Sequence, residues 1–386
     1  MEFDVAIVGA GLVGASFARA LDGAGLRIAL VEPGAPPPCS DAWDSRVYAI
    51  SPGNAAFLAE VGAWQTLDAS RVQAVQRMEI FGDKPGAKMS FSAYETGVAE
   101  LAFIVESGRL QRALWDGLVA QRDATLFTPA RCAALEVNER DATLTLESGE
   151  RIAAKLVIGA DGASSWLRQH AGLSAAASSY GECGVVANFA CGRSHHGTAY
   201  QWFRSDGVLA YLPLPESRMS MVWSTPDEHA GALLDLAPDA LCEQVAAAGR
   251  GVLGDLEILT PAAAFPLQLL VAERIVAPRI ALIGDAAHVV HPLAGQGVNL
   301  GFGDVRALAE VLRAREPLRD CGELALLRRY ARSRAEAILA MRRVTDGLQH
   351  LFSARGRLIS GMRNAGLNLT DRMPVLKNLL VRQALG

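Results

Sequence analysis

The sequence lacks most of the features that mark membrane-spanning or secreted proteins. No apolar stretch approaches the ~18 residues that a membrane-spanning helix needs. The six cysteines are scattered along 386 residues without a C-x-x-C pair, which is typical of reduced thiols in a reducing compartment. The first residues include Glu2 and Asp4 but no basic cluster, so we expect no secretory signal. These absences favour a cytoplasmic protein.

Several catalytic motifs are also missing. The chain has no G-x-S-x-G nucleophile elbow, no phosphate-binding P-loop and no zinc-type spacing of cysteine and histidine. His288 and His291 are three residues apart, but Pro292 follows them and no third ligand is evident, so we expect no metal site. The composition is that of an ordinary globular protein, and the length predicts about two domains.

The first 32 residues carry a strong pattern. A β-branched apolar run leads to G-A-G-L-V-G at residues 9–14, and a helical stretch and a second apolar strand follow, ending at Glu32. This order is the fingerprint of a dinucleotide-binding βαβ unit. We expect Gly9 to permit the tight turn, Gly11 to let the backbone approach a pyrophosphate, and Gly14 to let helix and strand pack closely.

The helix after this turn is predicted to bind the phosphates. It begins near Leu12 and Val13, and the free backbone N–H groups and positive dipole end of a helix N-terminus favour bound phosphate. Glu32 lies 18 residues after Gly14, where its carboxylate can accept hydrogen bonds from a ribose. The alternative is a glycine-rich turn in an unrelated α/β domain.

Later segments predict a second architecture. Residues 182–225 read as successive strands joined by the turn sequences R-S-D-G and P-E-S, which is typical of an antiparallel meander. Residues 76–92 alternate like strand, and a helix is expected around 235–248. The chain then returns to a buried strand at 278–283.

We therefore predict an α/β protein with a Rossmann-like dinucleotide-binding domain, an inserted antiparallel β-sheet domain and a helical C-terminus. The first domain comprises residues 1–75, 97–180 and 272–345, the second, substrate-binding domain comprises residues 76–96 and 181–271, and the C-terminal region comprises residues 346–386.

Four segments carry a longer pattern. They are D-V-A-I-V-G-A-G-L-V-G near the start, D-S-R-V-Y-A-I-S at 44–51, G-A-D-G at 159–162 and L-I-G-D-A-A-H-V-V-H-P-L-A-G-Q-G-V-N-L-G at 282–301. Together they resemble the FAD-dependent aromatic hydroxylases of the para-hydroxybenzoate hydroxylase type, and in particular the ubiquinone-biosynthesis hydroxylases. The resemblance spans most of residues 1–345.

The resemblance implies further FAD contacts. Asp285 would hold the ribityl or ribose region of FAD. Arg46 and Arg109 would approach the pyrophosphate and the flavin rim, where a guanidinium suits phosphate geometry; the alternative is a surface charge. Asp161 would contact FAD and, transiently, a nicotinamide; the alternative is an aspartate that stabilises a turn at a strand end.

The same resemblance places a helix N-terminus at the flavin ring. The loop that opens this helix would contribute Gly295, Gln296, Gly297, Val298 and Asn299. The positive dipole end of the helix would stabilise an anionic reduced flavin. Pro292 would lie over the isoalloxazine as a residue that positions the flavin face.

The implied activity is hydroxylation of the aromatic ring of a polyprenylated phenol or quinone precursor in ubiquinone biosynthesis. A flavin C4a-hydroperoxide would transfer its terminal oxygen to the ring, with the cofactor carrying the hard chemistry. NAD(P)H would bind transiently as electron donor, with a ferredoxin as the alternative. A base could assist, but His195, His196, Tyr200 and Tyr211 each have a structural explanation and none is assigned.

Other functions stay open. A flavin-dependent reductase of isoprenoid double bonds would have the same fold, as would a non-enzymatic flavin scaffold. A halogenase is disfavoured because the chain has no W-x-W. Nucleic-acid binding has no support beyond a basic C-terminus.

Charge is concentrated at the end of the chain. Residues 306–386 hold 16 Lys and Arg against 7 Asp and Glu, whereas the whole chain has a net charge of −4. This region could contact anionic lipid at the inner face of a membrane or a ubiquinone-biosynthesis complex. A solvated helical face is the alternative.

Overall fold

Three β-sheets and the helices packed on them make up the fold. The computed structural model describes residues 1–36, 38, 40–82, 87–290 and 297–353. In these residues the strands are β1 (Glu2–Val8), β2 (Ile28–Val31), β3 (Val47–Ile50), β4 (Gln73–Val75), β5 (Arg77–Phe81), β6 (Lys88–Ser92), β7 (Ala102–Glu106), β8 (Ala124–Phe127), β9 (Cys132–Val137), β10 (Ala142–Leu146), β11 (Arg151–Gly159), β12 (Ala175–Cys191), β13 (Thr198–Arg204), β14 (Gly207–Leu214), β15 (Arg218–Pro226), β16 (Leu256–Ile258), β17 (Ala263–Ala272), β18 (Val276–Ala277), β19 (Ile280–Leu282) and β20 (His288–Val289). The helices are α1 (Leu12–Ala20), α2 (Pro52–Glu60), α3 (Ala93–Thr96), α4 (Ser107–Ala120), α5 (Trp166–His170), α6 (Asp227–Leu234), α7 (Pro238–Ala248), α8 (Gly297–Arg313) and α9 (Leu324–Ser353).

The first sheet is built on the N-terminal βαβ unit. Its strand order is β18-β19-β11-β1-β2-β8, and β10 and β9 extend it from β11. The strands β19, β11, β1, β2 and β8 are parallel neighbours. Val5 and Ile7 pack into one apolar cluster while Ala6 and Val8 pack into another. Because both faces of the second half of β1 are covered, Val5 to Val8 form a continuous apolar run, and the predicted parallel α/β domain is confirmed.

The second sheet has the order β20-β17-β12-β15-β14-β13-β5-β6. It is antiparallel except where β13 pairs in parallel with β5. The prediction of successive neighbouring strands holds only for β13, β14 and β15, because β12 pairs with β15 instead of β13. Turn signals identify the strands, but the segment after β12 carries the chain across the sheet before β13 begins.

The two faces of the second sheet have different partners. On one face, Val185, Tyr211 and Met221 pack with residues of α6 and α7 such as Leu233 and Val245. On the other face, β14 packs through Leu212 and Leu214 against the small sheet β3-β7-β4. This second face is therefore directed towards the dinucleotide-binding half of the molecule.

Two predicted helical segments differ from the structure. The helix expected around 235–248 is α7, which begins at Pro238, a residue suited to the first turn of a helix, whereas the preceding helix α6 was not predicted. The last described helix, α9, continues through residues 345 and 346, and the remainder of the predicted C-terminal region, residues 354–386, lies outside the described residues. None of the described helices has both the length and the apolar character that crossing a bilayer requires.

Candidate functional site

The glycine turn after β1 is shaped by close backbone contacts. Gly9 has a φ of +97°, and a Cβ placed on it would lie 2.5 Å from the carbonyl oxygen of Ala160. A Cβ on Gly14 would lie 2.0 Å from the carbonyl oxygen of Gly9. By contrast, no atom of the described chain lies within 4 Å of the Cβ position of Gly11. The turn is therefore packed tightly on its inner side and open at Gly11.

The N-terminus of α1 has no side-chain cap. Gly11 is the N-cap residue in an extended conformation, so the first backbone N–H groups of the helix are not satisfied by a capping side chain. Glu32 accepts a hydrogen bond from the backbone N–H of Ala10 at 2.7 Å and another from Gly34 at 3.3 Å. The acid is thus held beside the turn, and a carboxylate has about four acceptor sites, which leaves capacity for a ribose hydroxyl.

Asp161 is engaged within its own turn. Its Oδ1 accepts a hydrogen bond from the Ser165 hydroxyl and its Oδ2 accepts one from the backbone N–H of Leu167 at 3.0 Å. These contacts stabilise the start of α5. They favour the turn-stabilising alternative for Asp161, and its predicted contact with FAD or nicotinamide stays a prediction.

Sequence reasoning missed Arg168. Its buried guanidinium donates to the carbonyl oxygen of Ala286 at 2.9 Å and to that of Ala163 at 2.7 Å. The side chain therefore ties the loop after β11 to the loop after β19. The spacing D-G-x-x-S-x-x-R was the available signal, since Asp161, Ser165 and Arg168 share one network.

Asp285 follows β19 and lies near Arg46 and Tyr48, and the surroundings of these side chains and of Phe265 are called the recess below. The Asp285 side chain is exposed, yet the surrounding protein desolvates the carboxyl and raises its pKa, with His288 and Arg46 acting in the opposite direction. The Arg46 guanidinium lies 5.4 Å from the ring centre of Tyr48 and 5.6 Å from that of Phe265. Phe265 is 43% exposed, which is high for a phenylalanine in a strand. The recess thus combines a carboxylate, a guanidinium and aromatic faces.

Arg109 is bound to a buried acid instead of standing free. Its Nε donates to Glu106 at 3.1 Å and its Nη2 donates to the carbonyl oxygen of Ser40 at 3.0 Å. Arg71, which sequence reasoning missed, forms a two-pronged ion pair with the same Glu106 at 2.8 and 2.7 Å. Glu106 also accepts the backbone N–H of Asp44 at 2.8 Å. This cluster anchors the segment that carries Arg46.

The start of α8 is fixed by Asn299. Its Nδ2 donates to the carbonyl oxygen of Ala49 at 2.7 Å, and its Oδ1 accepts from the backbone N–H of Ser51 at 3.0 Å and from Asn54 at 2.9 Å. The side chain therefore joins α8 to the segment between β3 and α2. Gly297 and Val298 form the first turn of this helix, whereas Pro292, Gly295 and Gln296 lie outside the described residues.

A row of small side chains crosses the second sheet on the face that bears Phe265. Ala263, Val186, Val222 and Ala210 are direct cross-strand neighbours on β17, β12, β15 and β14. All four are only partly buried, although they lie in the middle of the sheet. The row itself is therefore apolar and partly exposed, while the polar side chains of Ser220, Ser224 and Gln201 on the same face are buried.

The four candidate bases do not converge on this recess. Tyr200 and Tyr211 pack in the cluster on the α6 and α7 side, and the Tyr211 hydroxyl donates to the carbonyl oxygen of Val245. His195 is buried, where desolvation lowers its pKa, and it contacts the carbonyl oxygen of Leu214 at 2.7 Å. His196 is exposed with a φ of +48°. These contacts give Tyr200, Tyr211 and His195 structural roles, as the alternative for each of them predicts.

His288 has a carboxylate partner. Its Nε2 lies 2.6 Å from Asp304, which is completely buried. In the part of the chain that the structure describes, no three His, Cys, Asp or Glu side chains come together as a metal site would require. His291, the other histidine of the motif, lies outside the described residues.

The residues of this region fit a flavin dinucleotide. The space at Gly11 and the uncapped start of α1 suit a pyrophosphate, and Glu32 at the end of β2 suits a ribose. The exposed carboxylate of Asp285 lies in the recess beyond the turn and can accept hydrogen bonds from hydroxyl groups. These features define a dinucleotide-binding α/β protein.

Comparison with known proteins agrees with this assignment. Residues 2–345 match the family model described as FAD binding domain. The chain is 36% identical over 386 residues to the 3-demethoxyubiquinol 3-hydroxylase of Escherichia coli (strain K12), covering 99% of this chain and 98% of that one. It is 34% identical over 387 residues to the ubiquinone hydroxylase UbiL of Rhodospirillum rubrum, covering 99% and 89%. The chain therefore belongs to the family of FAD-binding monooxygenases.

Solved structures show the same fold. PqsL of P. aeruginosa in complex with 2-aminobenzoylacetate has a TM-score of 0.79 at 23% identity, covering 96% of this chain and 100% of that one. At this identity the likeness concerns the fold alone. The resemblance to the FAD-dependent hydroxylases of ubiquinone biosynthesis is confirmed by the family match and by these two relatives.

Proposed function

We propose that this FAD-dependent monooxygenase hydroxylates the aromatic ring of a polyprenylated phenol or quinol precursor of ubiquinone. The observation that carries the proposal is the apolar row of Ala263, Val186, Val222 and Ala210 on the sheet face that bears Phe265, whose ring centre lies 5.6 Å from the Arg46 guanidinium. A ring with a long isoprenoid substituent needs such a surface. The two relatives that match almost the whole chain, a 3-demethoxyubiquinol 3-hydroxylase and a ubiquinone hydroxylase, support this substrate class.

The residues around the proposed FAD site would have separate roles. Bound FAD supplies the redox chemistry and the activation of O₂. The start of α1 and Glu32 would hold the nucleotide half of FAD, and Asp285 would accept hydrogen bonds from its hydroxyl groups. Arg46 would supply a positive charge near the bound cofactor, which suits the negative charge that reduction adds to it. The apolar sheet face keeps water from the reacting ring.

We further propose that the chain is divided as the sequence predicts, with residues 76–96 and 181–271 forming the unit that binds the substrate. The pairing of β5 and β6 with β13 supports the inclusion of residues 76–96. We propose NAD(P)H as the electron donor. Its binding would be transient, because the sequence offers one credible dinucleotide fingerprint and FAD would occupy it. Anaerobic mixing of the purified enzyme with NADH, NADPH or reduced ferredoxin, followed at the flavin absorbance, identifies the donor.

Mass spectrometry of quinone lipids tests the substrate. In a host without this protein, we expect a prenylated phenol or quinol one oxygen short of a pathway intermediate to accumulate. Re-expression should remove it, and growth under ¹⁸O₂ should place labelled oxygen on the ring. The exposed variant Glu136→Gln, in a pair with both partners over half exposed, serves as a matched control that restores the wild-type lipid profile.

Two outcomes contradict the proposal. Unchanged quinones and intermediates would place the substrate outside this pathway. Accumulation of a lipid with one more double bond, and no gain of oxygen on re-expression, would select the reductase of isoprenoid double bonds instead.

A further inference from the structure

The loop that carries Asp285 is held on both sides by one buried carboxylate. The Oδ2 of Asp304 accepts the backbone N–H of Gly284 at 2.9 Å and lies 2.6 Å from the His288 Nε2. Asp285 lies between these two contacts in the chain. Asp304 is on α8 and is 0% exposed. The position of the Asp285 loop therefore depends on this carboxylate.

The last described helix supplies the second charge partner of Asp304. Arg334 of α9 donates from its Nε to the Oδ1 of Asp304 at 2.7 Å and from its Nη2 to the carbonyl oxygen of Leu300 at 3.0 Å. One turn earlier, the buried Tyr330 donates its hydroxyl to the carbonyl oxygen of Leu282 at 2.8 Å. Residues four apart share a helix face, so one turn of α9 contacts the end of β19 directly and the Asp285 loop through Asp304.

Arg334 helps to keep the buried carboxylate of Asp304 charged. Burial by itself would raise the pKa of Asp304, but His288 and Arg334 outweigh burial and lower this pKa. A carboxylate without exposed surface stays charged only when it is paired and hydrogen-bonded. Removal of the guanidinium would leave His288 as the one side chain bonded to it among the described residues. Asp304 could then no longer hold Gly284 and His288 in the same geometry.

We propose that α9 is part of the FAD site, and that Arg334 is a positioning residue that holds the Asp285 loop for FAD. The inference rests on the proposed contact between Asp285 and FAD. Coupling of this kind is reciprocal, so bound FAD in turn stabilises the docking of α9. A partner or surface that shifts α9 would thereby change how tightly the enzyme holds its flavin.

The rate of FAD release from the holoenzyme tests the role of Arg334. Arg334→Gln should release FAD about tenfold faster or more, measured as recovery of flavin fluorescence on dilution, because this lies within the usual range of such couplings. Arg334→Lys retains the charge and should recover much of the difference. Arg332→Gln removes an exposed arginine from the same helix and should release FAD at the wild-type rate.

Gly303→Ala tests the geometry without removing a charge. A Cβ on Gly303 would lie 2.7 Å from the Arg334 Nη2, so the methyl group should displace the guanidinium from Asp304. Alanine otherwise stabilises a helix relative to glycine by about 1 kcal/mol. Faster FAD release from a protein with undiminished helix content would therefore support the proposal. Wild-type release rates in both Gly303→Ala and Arg334→Gln would overturn it.

If Arg334→Gln does not fold, hydrogen exchange of the wild-type chain tests the proposal instead. Removal of FAD should increase exchange in residues 284–290 and around 330–336, while α7 on the far face of the second sheet should not change. Equal exchange around 330–336 with and without FAD would contradict the coupling. Both measurements concern FAD and need no substrate, so they remain valid if the proposed substrate class is wrong.

The variant Asp285→Asn tests the contact on which the inference rests. If it releases FAD at the wild-type rate, the proposed contact between Asp285 and FAD is wrong.

Discussion

Gly11 and Gly14 of the dinucleotide fingerprint differ in what surrounds them, and this difference gives a pair of predictions. Gly14→Ala puts a methyl group 2.0 Å from the backbone oxygen of Gly9, which cannot move aside as a side-chain end could. We expect a loss of about 1–3 kcal/mol in unfolding free energy, despite the helical preference for alanine. Urea denaturation of the FAD-free chain measures it.

Gly11→Ala should behave in the opposite way. Because no atom of the described chain lies within 4 Å of its Cβ position, we expect unchanged stability without FAD. The open space is the proposed pyrophosphate position, so the affinity for FAD should fall by about tenfold or more, the effect of roughly 1.4 kcal/mol. Wild-type affinity in Gly11→Ala would show that the pyrophosphate lies elsewhere.

Asp285 should cost the protein stability when FAD is absent. Its pKa is raised above the ordinary aspartate value of 3.8, so its contribution to stability is complete below that value and is lost as the pH rises through the raised pKa. In the FAD-free protein at neutral pH, Asp285→Asn should therefore melt at a higher temperature than the wild type, and the difference should vanish in acid. A melting temperature that is equal at every pH would contradict the desolvation of this carboxyl.

At the scale of elements, the Glu106 cluster joins β7, α4 and the segment before β3. Glu106 is 1% exposed and pairs with Arg71, itself 13% exposed. Glu106→Gln removes one partner of a buried pair, and we expect about 3 kcal/mol of destabilisation by chemical denaturation. Glu136→Gln breaks an exposed pair with Arg151 and should cost less than about 1 kcal/mol. Equal costs would mean that burial does not decide the strength of these pairs.

The helices and strands themselves were largely predictable because their signals are local. The glycine turn and the apolar runs around it identify β1, α1 and β2, and Pro238 marks the start of α7. The pairing of β12 with β15, and the parallel pairing of β13 with β5, were not predictable in this way. These pairings depend on where the chain crosses the sheet, and no local sequence pattern predicts that crossing.

At the scale of the whole molecule, the basic C-terminus predicts contact with an anionic membrane surface. Residues 354–386 lie outside the described residues, so this prediction depends on sequence alone: six Lys and Arg against one Asp. Each basic residue near such a surface contributes about 1 kcal/mol. Removal of residues 365–386 should lower recovery with membranes, and added salt should lower recovery of the full chain. Unchanged membrane recovery after the removal would contradict the prediction.

The sequence by itself determined the class of fold, the dinucleotide turn and the family, since these depend on residues that are neighbours in the chain. Only the tertiary structure decided which charged groups face the site. Arg109 is drawn to Glu106, and Asp304 is enclosed by His288 and Arg334, whereas Asp285 stays exposed in the recess. The reason is physical: a buried charge is stable only with a partner, and for Asp304 that partner comes from a helix 30 residues further along the chain.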